Sequence, residues 1–124
     1  MYRLMVESGF AAAHQLKEYA GKCEGLHGHN WRVQVMVKTD RLNPIGLGID
    51  FKVLKRILND ILSRLDHSFL NDIEPFQAQN PSSENLACYI YGEYLKHLEG
   101  ESVKLDWVRV WESTSAYAQY SRGD

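Results

Sequence analysis

The sequence predicts an α+β fold in which an antiparallel β-sheet carries two helices on one face. Three observations predict it. Residues 29–39 alternate apolar and polar side chains, the period of a strand. Two later segments repeat apolar groups at three- and four-residue spacing, the period of a helix lying on a core. The elements run β-β-α-α-β-β, with strands and helices grouped rather than alternating, as in helices packed on an antiparallel sheet.

The first strand is expected over residues 2–14, with small residues at Ala11, Ala12 and Ala13. A loop over 17–28 carries Gly21, Gly25 and Gly28. In the second strand His29, Trp31, Val33, Val35 and Val37 share one parity, and Arg32, Gln34 and Lys38 the other. His27 has the parity of the apolar set. Asn43-Pro44, Gly46 and Gly48 mark the next loop. Asp50 can cap a helix reaching about residue 65, whose apolar face is Leu54, Ile57, Leu58, Ile61, Leu62 and Leu65.

Residues 66–81 read as irregular. Ser82 or Ser83 caps a second helix to about residue 98, with Leu86, Ile90, Tyr94 and Leu98 four apart and Gly100 ending it. Strands follow at about 103–112 and 116–120. In the first of these, Leu105, Trp107 and Trp111 share one parity, against Val108 and Val110. A sheet apolar on both faces has a cover on both. Helices cover one, and a partner subunit would cover the other.

A chain of 124 residues suits a single domain spanning 1–124. Its short length leaves much surface per volume, which oligomerisation would help to bury. The net charge of -2 carries no basic excess, against nucleic acid as a main partner. Arg3 and Glu7 interrupt the first residues too early for a signal peptide, and no apolar run approaches the roughly 20 residues of a membrane span. Cys23 and Cys88 make no disulfide framework. The expectation is a cytoplasmic protein with reduced thiols.

His27-Gly28-His29 places two imidazoles on one side of a strand, their Cα atoms roughly 7 Å apart. Such a pair is either two surface or hydrogen-bonded histidines, or the start of a metal site. Its parity with the apolar face strengthens the metal reading but leaves the two evenly matched. Gly28 would let the backbone bend toward the ion. His14, ending the first strand, can be delivered beside the pair by a hairpin-like pairing. Three histidines would leave zinc a fourth position for water or substrate.

Around them stand groups with more than one reading. Cys23 is a further ligand, a base or inert. Asp66-His67 is a carboxylate-held imidazole able to shuttle protons, or only the end of a helix. Glu112 shares parity with Val108 and Val110, so it meets water at a strand end or is paired there by a ligand with N–H donors. His97 reads as solvated at a helix end, Cys88 as a small core residue, and the three tryptophans as core or interface groups.

Taken in order, these pieces resemble the 6-pyruvoyltetrahydropterin synthase / 6-carboxytetrahydropterin synthase family. The resemblance rests on Phe10-Ala11-Ala12-Ala13-His14, Cys23-x-x-x-His27-Gly28-His29-Asn30-Trp31, Asp50-Phe51, Leu65-Asp66-His67, Pro81-Ser82-Ser83-Glu84-Asn85 and Glu112, and covers nearly the whole chain. It implies a T-fold subunit in a homohexamer of two trimers, with active sites between subunits. By resemblance His14, His27 and His29 bind Zn2+, Cys23 is the catalytic base, Asp66 and His67 form a proton relay, and Glu112 anchors the pterin ring.

The short Cys23-to-His27 gap resembles the 6-carboxytetrahydropterin synthase branch of queuosine biosynthesis, a lyase acting on 7,8-dihydroneopterin triphosphate. Glu24 also matches a folate-type branch making 6-hydroxymethyl-7,8-dihydropterin, so dual activity is an alternative. A non-catalytic, zinc-stabilised pterin-binding oligomer is another. Ser113 departs from the threonine that many relatives carry after the glutamate. No P-loop marks a triphosphate cradle.

Overall fold

The computed structural model describes residues 1–17 and 25–123. Cys23 and Glu24 lie outside the described residues. In chain order the elements are β1 (Tyr2–His14), β2 (His27–Thr39), α1 (Phe51–Leu62), β3 (Ser68–Phe69), a 3-10 turn (Leu70–Asp72), α2 (Ser83–Lys96), β4 (Lys104–Ser113) and β5 (Ala116–Tyr120). The sheet order is β3-β1-β2-β4-β5. The fold is α+β, with two helices on a mainly antiparallel sheet.

Strand β1 pairs antiparallel with β2 along its whole length, from Tyr2 opposite Thr39 to His14 opposite His27. The alternation along β2 is realised as expected: Trp31, Val33, Val35 and Val37 are buried. They share the core with Leu54, Ile57, Leu58 and Ile61 of α1 and with Leu86, Ile90 and Tyr94 of α2. Both helix starts are capped by side chains. Asp50 accepts from the Lys52 amide, and Ser82 from the Asn85 amide. The Tyr94 hydroxyl donates to the Leu54 carbonyl at 2.8 Å and ties the helices together. Burial pushes its phenol pKa up. Gly100 was expected to end this helix, but the C-cap is His97 and Gly100, at φ 83°, lies in the turn three residues beyond it. At Gly9 a Cβ would fall 2.7 Å from the Trp31 carbonyl oxygen, so only glycine permits this approach of β1 to β2.

Four further expectations are corrected. The helices end at Leu62 and Lys96, each short of the apolar pattern, although Leu65 and Leu98 remain buried beyond them. Residues 66–81 are not wholly irregular, because Ser68 and Phe69 pair in parallel with Ala12 and Ala13. The second strand begins at His27 rather than 29. The β2–β4 register also shifts: Met36 faces Trp107 while Val37 faces Leu105. Asp106 is thus an extra residue in β4, and Leu105 turns into the core with Val108 and Val110 instead of outward with Trp107. On the outer face Arg109 lies over Trp107 at 3.9 Å and Arg32 over Trp111 at 4.1 Å. Guanidinium groups of the same chain therefore cover part of that face.

Candidate metal centre

The β1–β2 ladder brings the three histidines together. His14 and His27 form its last pair, and His29 stands opposite Ala12. All three rings lie at the end of the apolar stripe, above Trp31. The His14 and His29 ring centroids are 4.9 and 5.2 Å from its ring. The Trp31 indole donates to the Ala12 carbonyl at 3.2 Å, which fixes that floor. His14 is almost wholly buried, at 1% exposure.

Carbonyl groups set the histidine tautomers. His14 Nδ1 lies 2.9 Å from the Pro81 carbonyl oxygen, and His27 Nδ1 lies 2.9 Å from that of Gly25. A carbonyl can only accept, so each Nδ1 carries the proton and donates. Each Nε2 then presents a lone pair to the centre, as in metal-ligating histidines held by an outer carbonyl. The two Nε2 atoms are 3.1 Å apart. Two lone pairs so close repel each other, and a cation between them removes the repulsion.

Glu112 completes the group. Its Oε1 lies 3.3 Å from His14 Nε2 and 3.7 Å from His29 Nε2. The ligand atoms of His14, His27, His29 and Glu112 all fall within 4.8 Å of one another. Zinc–nitrogen bonds of about 2.0–2.1 Å make a tetrahedral edge of about 3.3 Å, close to the 3.1 Å His14–His27 and 3.3 Å His14–Glu112 separations, while the group as a whole spans up to 4.8 Å. The donor set of imidazoles and a carboxylate also suits that ion.

The β1 exit behind His14 is held by side-chain amides acting as a false strand. Asn71 accepts from the Gln15 amide at 2.9 Å and donates to the Gln15 carbonyl at 2.8 Å. Asn80 does the same for Lys17, with both bonds at 2.8 Å. Asn85 in turn donates to the Asn80 carbonyl at 2.8 Å. The Pro81-to-Asn85 segment thus caps α2, pins Lys17 through Asn80 and aims a carbonyl at His14. Reasoning from sequence missed Pro81, Asn71 and Asn80 as supports of the site. The Pro-Ser-Ser-Glu-Asn run was the available signal. Gly28 does not play the role expected of it. It sits in regular pairing with Ala13, and a Cβ there would meet the Ala12 carbonyl oxygen only at an ordinary 3.9 Å.

Asp66 and His67 form a second site feature outside the His/Glu group. His67 Nδ1 lies 2.9 Å from an Asp66 carboxylate oxygen, and the ring is largely exposed. His67 has φ 56°, a left-handed conformation uncommon for a non-glycine residue. Backbone bonds to β1 hold it there. The His67 amide donates to the Ala11 carbonyl at 2.6 Å, and Asp66 accepts from the Ala11 amide at 2.9 Å. The Ala11 amide foremost, aided by the His67 ring and opposed by desolvation, holds the Asp66 carboxyl below its ordinary pKa. Cys23 lies outside the described residues. His97 is exposed at the end of α2, and Cys88 is a half-buried free thiol rather than a core residue.

Residues 3–123 match the family described as 6-pyruvoyl tetrahydropterin synthase. The chain is 38% identical to the 6-carboxy-5,6,7,8-tetrahydropterin synthase of Synechocystis sp., over 97% of this chain and 93% of that one. It is 34% identical to the dihydroneopterin monophosphate aldolase of Pyrococcus furiosus, over 89% of each chain. The 6-pyruvoyl tetrahydropterin synthase structure of Caenorhabditis elegans superposes with a TM-score of 0.86 at 27% identity, covering 98% of this chain and 96% of that one.

Proposed function

The chain belongs to the 6-pyruvoyl tetrahydropterin synthase family, and from that premise we propose that it is a zinc-dependent 6-carboxy-5,6,7,8-tetrahydropterin synthase. It converts 7,8-dihydroneopterin triphosphate and water to 6-carboxytetrahydropterin, acetaldehyde and triphosphate, in queuosine biosynthesis. The observation that carries this reading is the convergence of His14, His27 and His29 on one point, with Glu112 beside them.

In this reading one domain, residues 1–124, holds all the groups a subunit contributes. When bound, zinc supplies Lewis-acid polarisation of the substrate's side-chain hydroxyls. His14, His27 and His29 would hold it, with outer carbonyls setting the tautomers of His14 and His27 and the rings of His14 and His29 packed on Trp31. Cys23, as thiolate, takes a proton from the side-chain carbon next to the pterin ring. His67, oriented by Asp66, moves protons at the hydroxyl end. Glu112 accepts hydrogen bonds from the pterin amino and ring N–H groups.

A hexameric assembly of two trimers supports a composite site. Among the described residues both outer sheet edges are open to strand addition. Among those residues β3 pairs β1 at Ala12 and Ala13 alone, and β5 pairs with β4 on one side. Tyr2, Leu42, Ile45, Leu47 and Phe51 are exposed near one end of the sheet, a setting that favours burial against another copy. The hollow lined by Ala11, Ala12, Gly28, His29 and Asn30 measures about 300 Å³, at the lower limit of small-molecule sites, so a neighbour's wall would enlarge it. Among the described residues no helix is long and apolar enough to cross a membrane. The proposed setting is the cytoplasm, which keeps the Cys23 thiol reduced.

A second reading is favoured by the likeness to the Pyrococcus furiosus aldolase. There Glu24, beside Cys23, directs cleavage to a 6-hydroxymethyl product. Mass spectrometry of products from 7,8-dihydroneopterin triphosphate separates the two. The expected product is 6-carboxytetrahydropterin, lost in Cys23→Ala and kept in Glu24→Gln. Finding 6-hydroxymethyl-7,8-dihydropterin alone, abolished by Glu24→Gln, would replace the first reading with the second.

A further inference from the structure

We propose that Glu112 is a fourth protein ligand of the metal in the substrate-free protein, and that it leaves the metal when a pterin binds. The inference rests on the metal-site reading above and adds a second state to it. A glutamate serving only as an anchor for the pterin ring would have no reason to point at the histidines. Here its Oε1 stands 3.3 Å from His14 Nε2 and 3.7 Å from His29 Nε2, while His14 and His27 are themselves 3.1 Å apart. These separations are close to the edge of a zinc tetrahedron, about 3.3 Å. The carboxylate oxygen therefore occupies a corner of the same figure as the imidazole nitrogens.

The backbone explains both why it points there and why it can leave. Trp111 faces Tyr117 and Ser113 faces Ala116, so Glu112 is the extra residue of a bulge between β4 and β5. A bulge re-aims its side chain, and bulges recur next to active sites. Here it falls at the strand end, one residue beyond the Arg32–Trp111 pair. His14 is 1% exposed, whereas the Glu112 side chain is 39% exposed and on the open side. Carbonyls hold His14 and His27, and Trp31 packs against His14 and His29, while the Glu112 carboxylate, at 39% exposure, has solvent to turn into. Glu112 would then give up this corner to a substrate hydroxyl oxygen or water and turn its carboxylate to accept from the pterin N–H donors.

The test uses full-length protein loaded with Co2+, whose visible absorption reports ligand number, and zinc affinity measured against a chromophoric chelator. Glu112→Gln and Glu112→Asp are compared with wild type, the aspartate keeping the charge but not the reach. Both variants are expected to change the cobalt spectrum and to weaken zinc binding at least about tenfold, since even outer-shell losses cost that much. Neopterin, an oxidised and unreactive pterin, is expected to shift the wild-type spectrum toward that of Glu112→Gln. Identical spectra and affinities in wild type and both variants would overturn the inference while leaving the three-histidine site intact. A wild type that takes up neither cobalt nor zinc would overturn the metal reading itself, and this inference with it.

Discussion

At the scale of single residues, what distinguishes this centre is the way His14 and His27 are each committed to one tautomer. Pro81 and Gly25 accept from Nδ1 of His14 and His27, which leaves Nε2 to face inward. A similar economy governs Asp66, whose carboxylate is held by the Ala11 amide on one oxygen and by the His67 ring on the other. Because its pKa is lowered in the folded protein, Asp66 contributes stability that is fully present above the ordinary carboxylate value of 3.8 and is lost as pH falls through its lower folded value. Thermal melts of wild type and Asp66→Asn are therefore expected to differ at neutral pH and to converge below about pH 3.8. A difference that persisted unchanged into that acid range would show that Asp66 acts by packing rather than by charge.

At the scale of elements, the start of α2 does two jobs at once. Ser82 caps the helix while the preceding carbonyl, that of Pro81, orients His14. Ser82→Ala is expected to cost about 1 kcal/mol in urea unfolding. It should also weaken zinc affinity by about tenfold, the lower end of outer-shell effects. Asp50→Ala removes the equivalent cap from α1, far from the histidines in the chain. It is expected to cost a similar amount of stability while leaving zinc affinity unchanged. Equal zinc affinities in the two variants would separate the cap from the site. The strands show the same economy. The bulge at Asp106 returns Leu105 to the core, and the bulge at Glu112 aims a carboxylate at the histidines.

For the whole molecule, the open edges of β1 and β5 and the apolar groups around Phe51 set the expected assembly. Light scattering behind size exclusion is expected to give a mass of six times the 14.3 kDa protomer. A monomer at micromolar concentration that still turned over substrate would end the composite-site reading. The sheet's outer face is already partly covered by Arg32 and Arg109 lying on Trp111 and Trp107. Any neighbour on that face meets a cationic and aromatic surface rather than a bare apolar one.

Much of this was legible along the chain. Local periodicity is a property of neighbours in sequence, so the alternation of β2, the apolar faces of α1 and α2 and the Asp50 and Ser82 caps could be read directly. The shared parity of His27 and His29 with Trp31 came from the same source. What only the tertiary structure decided were relations between distant segments. One-residue register shifts in β4 changed which face Leu105 takes, and no local pattern encodes a bulge on a partner strand. The left-handed turn at His67 depends on bonds to Ala11. The carbonyl of Pro81 reaches His14 across 67 positions of chain. Sequence thus determined which residues face the core and which chemical groups are present, because those follow from side-chain type and spacing. Folding decided which of these groups meet, because backbone carbonyls and ladder registers have no signature in residue identity.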